Sequence, residues 1–286
     1  MNNKLILGTV QFGLNYGINN SSGIPSENDV FGILDAAFKQ NIELLDTADA
    51  YGNAIELIGK YHHQSNNRFK VLSKFKEVKA NELCEQVQKS LNKLHIDQFE
   101  VYSYHSFNDY LNYPFLKDEL QSLKCKGLIK KIGISVYTNP EIEQICVDNF
   151  IDVIQLPFNL LDNQNIRGKY IEEAKQNNKE IHTRSVFLQG LLFMNEDDIP
   201  QKLKVLKPYI DKIRQYCLRE SISIHSLALS YAIYKKNIDH VLIGVDTKDQ
   251  LSKNIVSITD MEKAFDFINQ NINVIETELL NPVNWK

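Results

Sequence analysis

Short apolar runs alternate with longer amphipathic ones along most of the 286 residues. Eight runs read as strands: Leu5–Val10, Leu44–Thr47, Val71–Lys74, Glu100–Tyr104, Lys131–Val136, Val153–Leu156, Glu180–Ser185 and His240–Val245. Most are apolar throughout, the pattern of parallel strands covered on both faces. The stretches between them have helical spacing. Asn28–Gln40 puts Val30, Phe31, Leu34 and Phe38 on one face, with Ser26 or Asn28 as N-cap. Asn81–Leu94 does the same with Leu83, Val87, Leu91 and Leu94. Alternating strand and helix units of this number predict an α/β fold, a (β/α)8 TIM barrel. Extra helices are expected between strands 7 and 8, about Leu203–Arg219 and Ile224–Lys235, and at the C-terminus over Met261–Glu276. No Gly/Ser linker or low-complexity stretch divides the chain, so residues 1–286 read as a single barrel domain. A doubly wound open sheet would place G-x-G-x-x-G after the first strand; Gly8-Thr9-Val10-Gln11-Phe12-Gly13 lacks that spacing.

Charge narrows the partners. Acidic side chains number 36 against 32 basic ones, evenly spread, for a net charge of −4. A nucleic-acid-binding surface would show clustered Lys and Arg instead. Cys84, Cys125, Cys146 and Cys217 are scattered without metal-ligand or disulfide spacing, as expected of a reducing cytoplasm, and no metal is suggested. The apolar run near the N-terminus is broken at Gly8-Thr9 and is too short for a signal peptide. No stretch approaches the ~18 continuous apolar residues of a membrane span, so a cytoplasmic location is expected.

In a barrel, side chains at the C-terminal strand ends converge on one mouth. Asp46 ends the second strand, Tyr51 lies in the loop after it, Lys74 ends the third and His105 ends the fourth. Each alone has an ordinary structural explanation. Together, on consecutive strands, they point to chemistry.

These residues make the chain resemble an aldo-keto reductase. Leu45 to Asn53 (LDTADAYGN) matches the family's D-T-A-x-x-Y-G, Ser73-Lys74 its third-strand S-K, and Tyr104-His105 its fourth-strand histidine. Gly133-Ile134-Ser135 matches G-x-S, and Gln155 to Asn159 (QLPFN) resembles Q-x-x-Y-N with Phe158 for Tyr. Gly244, Gln250 and Asn254 match G-x5-Q-x3-N after the eighth strand.

The resemblance implies an NAD(P)-dependent oxidoreductase that reduces a small-molecule carbonyl, with Tyr51 as proton donor. The chemistry supports those roles. Hydride delivered to a carbonyl leaves negative charge on oxygen, which a proton donor must neutralise. An ammonium beside the phenol, from Lys74, lowers its pKa, and Asp46 keeps the lysine charged. His105 can hydrogen-bond the substrate oxygen. For the cofactor the resemblance implies Thr9, Val10, Asp46, Ser135 and Gln155, with Asn159 in support. It also implies the loop with Arg184, Ser185, Phe187, Leu188 and Gly190 under the pyrophosphate, and Gly244, Asp246, Thr247, Gln250 and Asn254 towards adenine. Substrate contacts are expected from Phe12, Tyr51, His105 and Phe107, with Tyr16, Tyr137 and Phe187 as further pocket aromatics.

Three departures from the family pattern bear on specificity. Val136 stands where the family often has Asn. Arg184 replaces an aromatic that stacks on nicotinamide, and can stack or meet an anion. Asp246 occupies a place where NADPH-preferring members put Arg; an acid repels a 2′-phosphate and accepts from a ribose 2′-OH. The cofactor is thus NADP or NAD, with Lys248 able to neutralise a phosphate. A sugar or nucleotide-sugar carbonyl fits an open, polar-rimmed pocket. Two rival readings are a cofactor-binding regulatory or redox-sensing barrel with little turnover, and a lyase or isomerase with Lys74 as Schiff-base nucleophile. Trp285 either packs on the barrel wall or caps the mouth.

Overall fold

In a computed structural model, which describes residues 4–20, 22–79, 81–254 and 261–285, eight parallel strands close into a barrel in sequence order. They are β1 (Leu5–Gly8), β2 (Leu44–Asp46), β3 (Lys70–Phe75), β4 (Phe99–Tyr104), β5 (Ile129–Ser135), β6 (Val153–Pro157), β7 (Glu180–Arg184) and β8 (His240–Gly244). Closure is made by β1, which pairs with β2 on one side and with β8 on the other; Gly8 lies opposite both Asp46 and Gly244. Every expected strand is present, and the (β/α)8 architecture holds.

The unbroken apolar runs have a direct cause. Side chains alternate between the two faces of a strand. On β1, Leu5 and Leu7 join the large core between sheet and helices, while Ile6 joins Leu72, Val101 and Val153 inside the barrel. Both faces exclude water, so both sets are apolar.

The first long helix, Glu27–Lys39, is capped by Ser26, whose hydroxyl accepts from Asp29 N while the Asp29 carboxylate accepts from Ser26 N. It buries Val30, Ile33 and Leu34; Phe31 and Phe38, expected on the same face, are only partly covered. The expected helix Leu203–Arg219 is two pieces, a 3-10 turn Gln201–Leu206 and an α-helix Lys207–Arg219. Pro208 supplies the break, since it has no N–H to continue the ladder and suits a first helical turn. The second extra helix is Ile224–Tyr234. The last runs Met261–Asn271, shorter than the expected Met261–Glu276, with a separate 3-10 turn at Thr277–Leu280. Trp285 donates its indole N–H to Leu279 O (2.7 Å) and packs against the core, so the tail lies on the wall. Among the described residues no helix is long and apolar enough to cross a membrane.

Candidate active site

At the C-terminal mouth, Asp46 and Lys74 form an ion pair from Oδ1 to Nζ, with only 4% and 5% of their side chains exposed. Lys74 also reaches Thr47 O at 3.4 Å. The second oxygen of Asp46 accepts from Gln155 Nε2 at 2.9 Å. The Lys74 ammonium lies 5.5 Å from the Tyr51 ring centre, and that ring meets His105 edge-on at 6.0 Å. The four residues expected to converge do so.

Local backbone chemistry holds Tyr51 there. Thr47 N donates to Leu72 O and Asp49 N to Lys74 O, which docks the loop on β3. Asp49 anchors the loop on its other side, accepting from Gln86 Nε2 (2.6 Å) and Ser90 Oγ (3.2 Å) of helix Leu83–Leu94. Gly13 and Gly52 let two segments touch: a Cβ on Gly13 would lie 2.0 Å from Tyr51 O, and one on Gly52 2.3 Å from Gly13 O. Gly52 also has φ +55°, which side-chain-bearing residues rarely adopt.

Burial sets the protonation states. It works against the Lys74 charge, but Asp46, aided by Tyr51, more than offsets it, and the lysine pKa lies above its ordinary value. Burial also raises the Tyr51 pKa, and the opposing Lys74 charge pulls it back only in part. The Lys74 charge acts in the expected, lowering direction but does not set the net direction. Desolvation outweighs the ammonium, and Tyr51 holds its proton. His105 is pushed down to about 4, first by burial and then by Lys74. Its imidazole is neutral near pH 7. Its Nδ1 is buried with no hydrogen-bond partner among the described residues, and the residue lines the cavity at this mouth.

A cavity of about 530 Å3 runs from these residues across the mouth to Asn254. Of the residues expected at the cofactor, Thr9, Val10, Asp46, Ser135, Gln155 and Arg184 line it, as do Ser185, Phe187, Leu188 and Gly190. So do Gly244, Asp246, Gln250 and Asn254. Ser135 and Gln155 are register partners on β5 and β6, which sets them side by side. Gln11 Oε1, on the same wall beside Gly244, is buried with no partner among the described residues, a place for a ligand donor. Its length, with Ser135 and Gln155 near one end and Gln250 and Asn254 at the other, fits an extended dinucleotide. Arg184 stacks its guanidinium 3.9 Å over Tyr137 and donates to Val136 O (3.0 Å), with no acidic partner among the described residues. Asp246 accepts from Asn20 Nδ2 (3.2 Å) and Gln250 Nε2 (3.4 Å).

Four expectations fail. Phe12 is fully buried in the helix–sheet core, because Val10–Gly13 turns as a short helix that aims Gln11 at the cavity instead. Phe107 stacks on Tyr110 at 6.0 Å, away from the cavity. Thr247 accepts from Gln250 N at the start of helix Lys248–Asn254 and does not line it. Asn159 does not line the cavity: it ties its own loop to the one after β7 by donating to Ser185 O, and accepts from the backbone of Leu161 and Asp162. Tyr16 and Tyr137 do line the cavity.

Several wall residues carry no motif. Asn19 and Asn20 come from the segment after β1, and Phe193 and His225 stack at 3.7 Å. The cavity has a roof. Gln189 Nε2 donates to Tyr16 OH (3.1 Å), and a Cβ on Gly190 would lie 2.5 Å from Asn19 Cβ. The loop pays for this shape with positive φ at Ser185, Leu188 and Gln189.

A barrel with this mouth defines a class, and the sequence comparison agrees with it. Residues 4–269 match the Aldo/keto reductase family, and the chain belongs to that family. It is 24% identical over 203 residues to the NADH-specific methylglyoxal reductase of Escherichia coli (strain K12), covering 64% of this chain and 61% of that protein. It is 25% identical over 257 residues to D-arabinose 1-dehydrogenase of Saccharomyces cerevisiae, covering 80% of this chain and 75% of that one. The chain thus spans about three-fifths of the reductase and three-quarters of the dehydrogenase. The solved structure of glycerol dehydrogenase AKR11B4 from Gluconobacter oxydans shares the fold, with a TM-score of 0.73, 21% identity, and 96% of this chain and 94% of that one covered.

Proposed function

We propose that this protein reduces an aldehyde or ketone to an alcohol with a nicotinamide cofactor, and that Tyr51 donates the proton. The observation that carries this reading is the Tyr51 phenol set beside the buried Lys74–Asp46 pair and His105 on one wall of the long cavity. The nicotinamide supplies the hydride when bound. A neutral His105 donates a hydrogen bond to the substrate oxygen, and the Tyr51 proton moves to that oxygen as charge develops on it. Lys74, held charged by Asp46, stabilises the phenolate left behind. Ser135 and Gln155 would hold the carboxamide, and Gln250 and Asn254 the adenine end. A lysine kept protonated by a buried carboxylate is a poor Schiff-base nucleophile, so the reductase reading stands ahead of a Lys74 lyase.

For the finer points, Asp246 supports NADH over NADPH, and the name of the Escherichia coli relative agrees with that direction. Arg184, set over Tyr137 with no acidic partner among the described residues, supports a polar, anion-bearing carbonyl of the sugar or nucleotide-sugar type. The deciding experiment follows nicotinamide absorbance across a panel of aldehydes and sugars with both cofactors. Turnover lost in Tyr51→Phe supports the assignment; unchanged turnover in that variant overturns it.

A further inference from the structure

The opposite, N-terminal mouth of the barrel carries chemistry that carbonyl reduction does not use. Residues 180 and 182 of β7 share a face by strand alternation, and His182 is the register partner of His240 on β8. Glu180 Oε1 lies 2.8 Å from His182 Nε2 and 3.9 Å from His240 Nε2. Each of the three residues offers one ligand atom, and these atoms lie within 4.8 Å of one another.

Hydrogen bonding leaves this cluster unfinished. His182 is only 2% exposed, yet its Nδ1 has no partner among the described residues; the same is true of His240 Nδ1. The 3.9 Å approach of His240 Nε2 to Glu180 is too long for a hydrogen bond. Of the four ring nitrogens, only His182 Nε2 has a side-chain hydrogen-bond partner among the described residues. Lys131 occupies the other Glu180 oxygen, so Oε1 is the one that faces the two histidines. The adjoining cavity, about 290 Å3, is also lined by Glu43, Glu100 and Lys70, giving three carboxylates against two ammonium groups. Two imidazoles and one carboxylate are a donor set suited to zinc and its neighbours.

We propose that Glu180, His182 and His240 form a binding site for a divalent transition-metal ion of the zinc class, with its remaining position open to the cavity. The ion ties β7 to β8 next to the point where the barrel closes. Its effect falls on stability and leaves the chemistry at the far mouth unchanged.

The test uses chelator-treated full-length protein titrated with Co(II) alone and then with Zn(II). The expected result is one equivalent of cobalt, a visible absorption band that Zn(II) abolishes, and a melting temperature raised by the metal. His240→Ala and Glu180→Gln should each weaken cobalt binding by at least about ten-fold. Cofactor affinity, read from NADH fluorescence, should not move. No cobalt band in the wild-type protein overturns the proposal, as does a band of equal affinity in both variants. The wild-type titration needs no variant, so a variant that does not fold leaves the proposal open to refutation.

Discussion

Gln155 donates from Nε2 to Oδ2 of Asp46 at 2.9 Å, so the carboxylate that holds Lys74 is itself tied to β6 across the barrel. A residue read as cofactor-binding thus also orients the ion pair. Removing Asp46 leaves a buried ammonium without its counter-charge. Asp46→Ala should cost about 3–5 kcal/mol of stability in urea denaturation. Lys74→Met combined with Asp46→Ala should cost less than the sum of the two single changes, because the stranded charge is gone.

Tyr51→Phe should lower kcat for reduction by about 10^2- to 10^4-fold while leaving the cofactor dissociation constant nearly unchanged. Because burial holds the Tyr51 pKa above its ordinary value, the donor stays protonated throughout the neutral range. Reduction should be level across that range and fall only as pH rises past the usual phenol value of ~10. A decline of kcat beginning near neutrality would contradict this.

His105 and His240 both have pKa values depressed to about 4, with burial as the leading cause. The neutral imidazole is the form the fold favours, so their contribution is complete above the unfolded value of 6.5 and is lost as pH falls towards about 4. Each site adds a slope of at most about 1.4 kcal/mol per pH unit in that window. Urea melts of metal-free protein between these limits should show the slope, and His105→Asn should reduce it.

Asp246 should make NADH bind about ten-fold or more tightly than NADPH, since a 2′-phosphate would face its carboxylate. Asp246→Ala should narrow the ratio chiefly by improving NADPH binding. Fluorescence titration with the two cofactors measures it directly.

Arg184→Ala should raise KM for carbonyl compounds bearing a carboxylate or phosphate by about ten-fold or more, the worth of a charge-assisted hydrogen bond. Neutral aldehydes should be nearly unaffected. Equal losses for both classes would remove Arg184 as an anion anchor.

The sequence carries the barrel and the four side chains of the proposed reacting set because both follow from repetition. Apolar runs mark strands buried on two faces, and the chemistry sits at strand ends, where position is fixed by the ladder. Loop residues escape this logic. Phe12 and Gln11 are neighbours, and a single unforeseen helical turn exchanges which of them faces the cavity. Asp49 lies inside a matched motif, yet its anchoring partners Gln86 and Ser90 are about forty positions away with no local mark. Glu180, His182 and His240 come together only through the register of β7 with β8, a relation that cysteine and histidine spacing along one segment does not reveal.

The pairing of β1 with β8 has a consequence for the chain as a whole. Asp46, Tyr51, Lys74 and His105 all precede residue 106, so a fragment ending there would hold all four side chains of the proposed reacting set. Yet Gly8 lies opposite Gly244, and Gln155 steadies Asp46 from the middle of the sequence. The four groups acquire their spacing only when the two ends of the barrel meet, across 236 positions for Leu5 and Val241. Such distant pairing is slow to form. Catalytic competence in refolding should therefore appear with the last structural step, after most of the secondary structure has returned.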